Sequence, residues 1–377
     1  MAKRVLVLGA GFAGLELSTR LSEALGADID VTLIDRADAF LFGFSKLDVM
    51  FGHTTYDKVR MPYSAFAKPG VRLLREAVTA IDPATRRVTT DKGVHDADYL
   101  VVALGAEYDF DATPGLREAH EFYTPEGAER LRDALALFKG GNIIVGVCAT
   151  PFKCPPAPSE CALMLHDYLS ERGLRQNSTI SFVIPFKTPV PPSPETSAAL
   201  VVAFAERDIA FMPTKRVVSI DAKAKTAALD DGTALPYDLF FGVPKHRVPQ
   251  VVIGSGMSEN GWIPVDPRTL KTKYPGVYSV GDGAATGTPK AGVFAEGAAA
   301  AVADAIIAEV RGAGEASLYS GAGSCYIEFG AGRIGRVDVD FFSGPSPTGT
   351  YYAPSTTLRA DKETFGSSRR KRWFGLS

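Results

Sequence analysis

Short apolar runs alternate with amphipathic stretches in the first part of the chain. Residues 5–8 and 31–34 are apolar runs of strand length, and the segment between them places leucines with helical periodicity. Further short strands are predicted at 71–74, 77–81, 86–90 and 98–104, the last of which stops at a glycine. This alternation is typical of an α/β fold with parallel strands.

The pattern repeats in the middle of the chain and then changes. A helix near 125–138, a strand at 142–147, a helix at 159–171 and a strand at 179–184 form a second α/β unit. A proline-rich connection follows, and after it a strand ends at Gly281 and an alanine-rich helix is expected at 291–311. The final residues contain apparent strands at 323–327 and 333–341.

These elements predict two Rossmann-like dinucleotide-binding domains followed by a C-terminal α+β segment. We expect the first domain to be discontinuous, formed by residues 1–110 and 245–312. Residues 111–244 form the second domain, and residues 313–377 form the C-terminal segment.

Composition and charge narrow the range of functions that the chain can have. The chain has 377 residues, 46% of them hydrophobic, and a net charge of −2, so no global field favours nucleic acid. No apolar run is long enough to span a bilayer, and no export signal precedes the first strand, which predicts a cytoplasmic protein. Four cysteines in such a chain are not a disulfide framework, and five scattered histidines predict no metal site.

The first strand leads into a glycine turn that predicts a dinucleotide site. Gly9 allows the tight turn, Gly11 allows backbone to approach a pyrophosphate, and Gly14 allows close packing of helix and strand. Asp35, about twenty residues on, suits a ribose hydroxyl pair. The cofactor-binding candidates in this unit are Gly9, Gly11, Phe12, Ala13, Gly14, Asp35 and Arg36.

Two later strand ends add candidates on the cofactor side. The apolar strand at 98–104 ends in Ala103-Leu104-Gly105, where backbone can approach a cofactor. Gly281-Asp282 ends another strand, and Asp282 can accept a hydrogen bond from a flavin ribityl hydroxyl. Lys290 can stabilise negative charge on a reduced flavin, although an ordinary solvated lysine is the simpler interpretation.

The chemistry is expected at Cys154, in the segment TPFKCPPAPSECAL. Its prolines exclude regular structure, and the thiol lies just before a helix whose N-terminus favours thiolate. The alternative is a small buried hydrophobe beside a proline turn. The second unit has prolines here instead of turn glycines, so it is not expected to bind NAD(P).

Taken together, these motifs resemble a known family. The glycine turn with Asp35, the Ala-Leu-Gly strand end and Val-Gly-Asp282 resemble the flavoproteins with two dinucleotide domains, which include glutathione reductase and type II NADH dehydrogenase. CPPAPSE at 154–160, PKAG at 289–292 and Cys325 are similar to the branch of sulfide:quinone oxidoreductase and flavocytochrome c sulfide dehydrogenase.

The resemblance implies FAD and a redox disulfide between Cys154 and Cys325. Hydrosulfide would attack the disulfide, leaving a persulfide on one cysteine and a thiolate on the other, and two electrons would pass through FAD to a quinone. Glu160 would be the acid–base residue, or only an acid that complements the helix dipole.

The chain departs from that branch at two places. It lacks the third functional cysteine of many quinone-reducing members near 105–125, which argues against a three-cysteine cycle. It also lacks the flavin-linking cysteine of the flavocytochrome branch near 40–48, where Phe42, Phe44 and Ser45 stand. Non-covalent FAD is therefore expected. We expect Cys148 to be packed, while Cys161 is packed or functional.

Other functions remain open at this stage. They are a sulfide dehydrogenase subunit that reduces a cytochrome c, an NAD(P)H-dependent reductase of quinone, ferredoxin or a disulfide, and a flavin-binding scaffold without turnover. The basic tail at 369–376, with Trp373 and Phe374, suits an anionic membrane surface or quinone access, and the alternative is a partly disordered terminus. A homo-oligomer is possible.

Overall fold

The computed structural model describes residues 2–376, which form two parallel sheets, several small sheets and the helices around them. The strands are β1 (Lys3–Leu8), β2 (Ile29–Asp35), β3 (Ala39–Leu41), β4 (Arg60–Pro62), β5 (Val71–Arg75), β6 (Val78–Asp82), β7 (Arg87–Thr90), β8 (Val94–Asp96), β9 (Tyr99–Val102), β10 (Glu107–Asp109), β11 (Gly141–Val147), β12 (Ser178–Ile184), β13 (Ile209–Pro213), β14 (Val217–Asp221), β15 (Thr226–Leu229), β16 (Ala234–Pro236), β17 (Leu239–Val243), β18 (Lys245–Arg247), β19 (Ile263–Pro264), β20 (Val277–Ser279), β21 (Ala284–Ala285), β22 (Ala322–Glu328), β23 (Ile334–Asp340) and β24 (Thr348–Ser355). The helices are α1 (Phe12–Leu25), α2 (Ser45–Met50), α3 (Tyr56–Val59), α4 (Pro125–Leu137), α5 (Ala157–Glu171), α6 (Pro194–Ala205), α7 (Gln250–Gly254), α8 (Gly292–Arg311) and α9 (Leu358–Phe374).

The first parallel sheet has the strand order β20–β9–β1–β2–β5. Its central strand β1 is apolar along its length because the core covers both of its faces, and Val5, Leu6, Val7 and Leu8 are all buried. On one face, α1 packs against α8. The close approach is possible because α8 contributes small buried side chains, among them Ala295, Ala298 and Ala299.

The second parallel sheet has the strand order β13–β12–β11–β17, and α5 packs against it. This helix begins at Ala157, two residues before its predicted start, because Pro158 fits the first helical turn. The N–H that proline lacks would have no intrahelical partner there. The chain passes from the first sheet to the second through β10 and returns through β18, which pairs antiparallel with it.

The C-terminal segment is more ordered than its sequence suggests. The predicted strands at 323–327 and 333–341 correspond to β22 and β23, but β24 and α9 were not expected. Helix α9 is largely polar, and its buried residues are Trp373 and Phe374 at its end. Its sequence therefore has no apolar periodicity that would predict a helix.

The structure places residues 369–374 in α9 and buries the side chains of Trp373 and Phe374, so the exposed apolar tip and the partly disordered terminus are wrong. Contact with a membrane surface and quinone access stay predictions. Trp373 is 1% exposed and donates from Nε1 to Glu16 at 2.9 Å. Arg372 also binds Glu16, at 2.9 and 3.1 Å, and Arg369 binds Glu296 at 2.6 and 2.7 Å. The aromatic side chains are thus buried, and the two cations are paired with carboxylates of the first domain. No helix within residues 2–376 has the length and apolarity to cross a membrane.

Because Trp373 fills a buried site, Trp373→Ala is expected to lower the free energy of unfolding by about 3–5 kcal/mol. Lys371 is exposed on the same turn, so Lys371→Ala should change the free energy of unfolding by no more than about 0.5 kcal/mol. Urea unfolding followed by circular dichroism measures both. Equal midpoints for the two variants would show that the end of α9 does not contribute to the core.

Candidate active site

A cavity of about 580 Å³ lies where the glycine turn, the Cys154 segment and β22 meet. This volume is within the range of ligand and cofactor sites. The predicted site residues that line it are Gly9, Gly11, Phe12, Ala13, Asp35, Arg36, Ala103, Gly105, Cys154, Glu160, Gly281, Asp282, Lys290 and Cys325. Gly14 is buried behind it. One cavity therefore joins the cofactor candidates to both cysteines.

The glycine turn has the steric properties of a dinucleotide-binding turn. Gly9 has a φ of +98°, and a Cβ atom there would lie 2.4 Å from the carbonyl oxygen of Ala103. A Cβ atom at Gly14 would lie 1.9 Å from the carbonyl oxygen of Gly9. A Cβ atom at Gly11, by contrast, would meet no protein atom within 4 Å. The turn is thus packed on its protein side and open at the N-terminus of α1, where a pyrophosphate would bind.

Asp35, at the end of β2, is held by two backbone amides. Its Oδ2 accepts the N–H of Ala10 at 2.7 Å, and its Oδ1 accepts the N–H of Ala37 at 2.8 Å. Each carboxylate oxygen can accept a further hydrogen bond. The orientation of Asp35 is therefore fixed, and capacity for ribose hydroxyls remains.

Asp282 lines the cavity at the end of the first sheet. None of the hydrogen bonds within residues 2–376 uses its carboxylate. Burial raises the pKa of Asp282, while the positive charges of Lys153 and Lys290 lower it. A half-buried acceptor facing a cavity fits the hydroxyl groups of a ribityl chain.

Lys290 is not a solvated lysine, because only 8% of it is exposed. Its Nζ donates to the backbone oxygens of Asp282 at 2.7 Å and Ala284 at 3.3 Å, and lies 3.7 Å from the centroid of the Trp262 ring. Burial lowers the pKa of Lys290 to about 8. The backbone of Lys290 also accepts the N–H of Cys154 at 2.7 Å, which brings the PKAG and CPPAPSE segments together.

Cys154 lies in a tight turn with a φ of +52°, in the left-handed region that is rare for a residue with a side chain. Its carbonyl oxygen accepts the N–H of Ala157 at 2.9 Å, at the start of α5. Backbone contacts on both sides of Cys154 therefore fix the position of its thiol at the cavity wall.

The helix N-terminus favours a thiolate at Cys154, as expected, but other effects outweigh it. Burial raises the pKa of the Cys154 thiol, and the nearby Glu160 and Cys325 raise it further. The N–H of Ala157 lowers it, as predicted for a helix N-terminus, but by less. Burial also raises the pKa of Cys325, to about 12. Both cysteines are free in the structure, and burial favours the neutral thiol at each of them.

Glu160 connects the elements that carry the two cysteines. Its Oε1 accepts the backbone N–H of Glu328 at 3.0 Å, which ties α5 to β22 three residues beyond Cys325. Burial raises the pKa of Glu160 to about 7, although the positive charge of Lys362 opposes the rise. Glu160 is thus a buried carboxyl that links the two elements, and its acid–base role stays a prediction.

Several cavity residues were missed by sequence reasoning. Lys46 donates to the carbonyl oxygen of Tyr123 at 2.7 Å, and Lys153 donates to the carbonyl oxygen of Ala106 at 3.0 Å. Lys362 binds Glu328 at 2.5 Å from α9. Lys46 lies in a segment without a recognisable motif, and Lys362 lies on the unpredicted helix. Lys153 directly precedes Cys154 in the quoted segment, but nothing in the sequence distinguished it from an ordinary lysine.

The remaining cysteines lie away from this cavity. Cys148 is buried at the end of β11, as predicted, and burial raises its pKa to about 12. Cys161 is fully buried on α5, so the structure favours the packed alternative for it. The Phe40 and Phe42 side chains are also buried. Residues 2–376 contain no cluster of His, Cys, Asp and Glu suited to a metal ion.

The fold and the site define a flavoprotein with paired dinucleotide-type domains and two cysteines at the cofactor cavity. The sequence model of the pyridine nucleotide-disulphide oxidoreductase family matches residues 3–305, and the chain belongs to this family of oxidoreductases. This membership implies a flavin cofactor, and the residues described above fit one.

Known relatives confirm the predicted resemblance. The mitochondrial sulfide:quinone oxidoreductase of Mus musculus is 24% identical over 362 residues, covering 91% of this chain and 79% of the mouse protein. The sulfide-quinone reductase of Aquifex aeolicus is 27% identical over 340 residues, covering 82% of this chain and 77% of the Aquifex protein. The crystal structure of the sulfide:quinone oxidoreductase from Aquifex aeolicus matches with a TM-score of 0.89 at 24% identity. The match covers 100% of this chain and 93% of the Aquifex chain. This structural match confirms the predicted fold class.

Proposed function

We propose that this protein oxidises sulfide at Cys154 and Cys325 and passes the electrons through FAD to a quinone. The observation that carries the proposal is that both cysteines and Glu160 line the same cavity as the dinucleotide turn. In the resembling branch this is the side of the flavin where a nicotinamide would otherwise stack. The named relatives act on sulfide and quinone, which supports the same substrates here.

The proposed reaction begins with a disulfide between Cys154 and Cys325. Hydrosulfide forms a bond to one cysteine sulfur, the disulfide bond breaks, and the electron pair stays on the other sulfur as a thiolate. A second hydrosulfide removes the sulfane sulfur as hydrogen disulfide anion. Re-forming the cysteine disulfide releases two electrons, for which FAD is the acceptor, so that two HS⁻ give HSS⁻, one proton and two electrons.

The protons of this cycle require a base inside the cavity. The two thiols have raised pKa values, so their reoxidation must release protons. Glu160 has a pKa of about 7 and lines the same cavity, which suits it to take these protons. Lys290 would supply positive charge near the flavin, as its position beside Asp282 allows.

We further propose that the FAD is bound without a covalent link and that nicotinamide nucleotides are not substrates. Phe42, Phe44 and Ser45 stand where the flavocytochrome branch has its flavin-linking cysteine. After β11 the chain continues into the proline-rich Cys154 segment and has no glycine turn for a second dinucleotide. The division into residues 1–110 with 245–312, 111–244 and 313–377 is part of this proposal. A cytoplasmic location and a homo-oligomer stay predictions.

Anaerobic titration of the flavin-loaded protein tests the proposed function. Sulfide should bleach the flavin absorbance, and added quinone should restore it. NADH and NADPH should leave the absorbance unchanged. Bleaching by NADH but not by sulfide would overturn the proposal in favour of a nicotinamide-dependent reductase. Reoxidation by cytochrome c but not by quinone would show that quinone is not the electron acceptor.

Lys362 is expected to set the pH at which Glu160 works as a base. Its positive charge lowers the pKa of Glu160, so Lys362→Met should raise that pKa. A base acts in its deprotonated form, and the variant should therefore lose most sulfide-driven reduction near pH 7 and recover as the pH rises. The ratio of variant to wild-type rate cancels the titration of sulfide itself. Lys371→Met, exposed on the same helix, is the control, and a ratio that does not change with pH would contradict the assignment of Glu160 as base.

A further inference from the structure

One acidic residue, Glu328 on β22, binds one partner with its backbone and another with its side chain. Its N–H donates to Oε1 of Glu160 at 3.0 Å, and its own Oε1 accepts Nζ of Lys362 at 2.5 Å. Glu160 and Lys362 both line the cavity that contains the dinucleotide turn, although they belong to different helices. Glu328 therefore contacts both the carboxyl group and the ammonium group.

The ammonium group of Lys362 is held by Glu328 and not by Glu160. The Lys362 side chain is 15% exposed, and its Nζ lies 5.5 Å from the centroid of the Phe44 ring. Within residues 2–376, Lys362 forms an ion pair with Glu328 alone. The Glu160 carboxylate forms no ion pair in that range, and the one hydrogen bond that it accepts comes from the Glu328 backbone. A buried cation and a buried carboxyl group thus stay apart while a third residue binds each of them.

Charges of both signs act on Glu160. Burial raises its pKa, the positive charge of Lys362 lowers it, and the negative charges of Glu328 and of Asp48 on α2 raise it. Burial lowers the pKa of Lys362, but the charges of the same three acids outweigh that effect. The other neighbours whose pKa values are raised by the charge of Glu160 or Glu328 are His53, Tyr123, Cys154, Cys161 and Cys325. Lys362 is thus the cation that can hold Glu160 in its charged form.

We propose that Glu328 is a positioning residue that keeps Lys362 out of an ion pair with Glu160 and so leaves the Glu160 carboxyl group free to exchange protons. This inference rests on the proposed function, in which Glu160 takes protons from the cysteines. A carboxylate in direct contact with an ammonium group holds its charge more strongly and is a poorer base. With Glu328 in place, Glu160 instead binds an uncharged backbone N–H, which is a weaker partner.

The fold allows the ion pair that Glu328 prevents. Lys362 and Glu160 both contact the same residue, and the lysine ammonium group is carried by a flexible four-carbon stem. Glu328→Gln removes the negative charge but keeps the backbone N–H on Glu160. The released ammonium group should then move to Glu160, because a buried charge without a partner is unfavourable. Asp48, the other acid that acts on Lys362, already lies 3.5 Å from Nδ1 of His53.

Infrared titration of the flavin-loaded protein tests this inference. The protonated-carboxyl band that is missing in Glu160→Gln reports on Glu160. Glu328→Gln should lower the midpoint of that band's titration by about one pH unit, which is a tenfold change in equilibrium. In a Lys362→Met background, the same substitution should lower the midpoint about half as far or less, because only the charge of Glu328 is then lost.

Glu296→Gln is the matched control. The Glu296 side chain is 16% exposed, against 15% for Glu328, and it binds Arg369 of the same helix α9 at 2.6 and 2.7 Å. Glu296 does not line the cavity, so its loss should leave the Glu160 midpoint unchanged. The rate of flavin reduction by sulfide gives a second measurement. Because Glu160 stays deprotonated to lower pH in Glu328→Gln, the ratio of its rate to the wild-type rate should rise as the pH falls.

Equal shifts of the midpoint in the two backgrounds would overturn the inference, because they would show that Glu328 acts through its own charge alone. A midpoint that Glu328→Gln leaves unchanged, or a Glu160 carboxyl group that does not titrate in the wild type, would overturn it as well. A wild-type protein that sulfide does not reduce would overturn the proposed function instead. The infrared titration needs no sulfide and would still decide whether Glu328 positions Lys362.

Discussion

Cys154→Ser and Cys325→Ser each lower the rate of flavin reduction by sulfide at least about 1,000-fold, as expected when one member of a catalytic unit is removed. A serine oxygen cannot form the disulfide that hydrosulfide attacks, and it cannot carry sulfane sulfur. Because both residues line the same cavity, either loss stops the proposed cycle at its first step. Anaerobic stopped-flow spectroscopy measures the rate directly.

Cys148→Ala is the matched control for these variants. Cys148 is as buried as a core residue and lies outside the cavity, so sulfide-driven reduction should stay near the wild-type rate. Dithionite should bleach all three variants, which would show that the flavin is bound and reducible. Retention of activity by both Cys154→Ser and Cys325→Ser would mean that the disulfide mechanism is wrong.

Gly14→Ala is expected to destabilise the protein by about 3 kcal/mol and to abolish flavin binding, because overpacking forces backbone to move. The new Cβ would lie 1.9 Å from the carbonyl oxygen of Gly9, and no flexible side chain is there to give way. Separating α1 from the turn would also displace Gly11 and the amides that face the cavity. Thermal unfolding and flavin content measure the two effects.

Gly11→Ala separates cofactor contact from folding. A Cβ atom at Gly11 meets no protein atom within 4 Å, so the flavin-free protein should lose about 1 kcal/mol or less, the usual cost at a helix N-cap. The methyl group points into the space that a pyrophosphate would occupy, and flavin affinity should fall. Equal stability losses for Gly11→Ala and Gly14→Ala would contradict this account of the turn.

Sequence reasoning succeeded where the cause is local. The strand, glycine turn and helix that open the chain, and the match of α5 and β11 to their predicted positions, follow from apolar periodicity and from steric rules that act over a few residues. The same reasoning missed α9, because its helix is held mainly by two aromatic residues that dock on distant elements. A pattern along the chain does not contain that contact.

The charge state of the site was less predictable than its location. A helix N-terminus does favour the Cys154 thiolate, through the N–H of Ala157, but burial and the carboxyl group of Glu160 act in the opposite direction and dominate. Lys290 looked like a solvated side chain and is instead a buried one, over the ring of Trp262. Desolvation depends on every atom around a group, so it could not be inferred from neighbours in the sequence.

By itself, the sequence determined the main strands and helices of the two parallel sheets, the dinucleotide turn from Gly9 to Gly14, and the thiol-bearing proline turn at Cys154. These follow from backbone sterics and short-range periodicity. Only the tertiary structure decided that Cys325, 171 positions later in the chain, lines the same cavity, that Glu160 joins the two elements that carry the cysteines, and that the basic tail is part of the core. Such contacts arise when distant segments share one buried volume, and that volume exists only once the whole chain has folded.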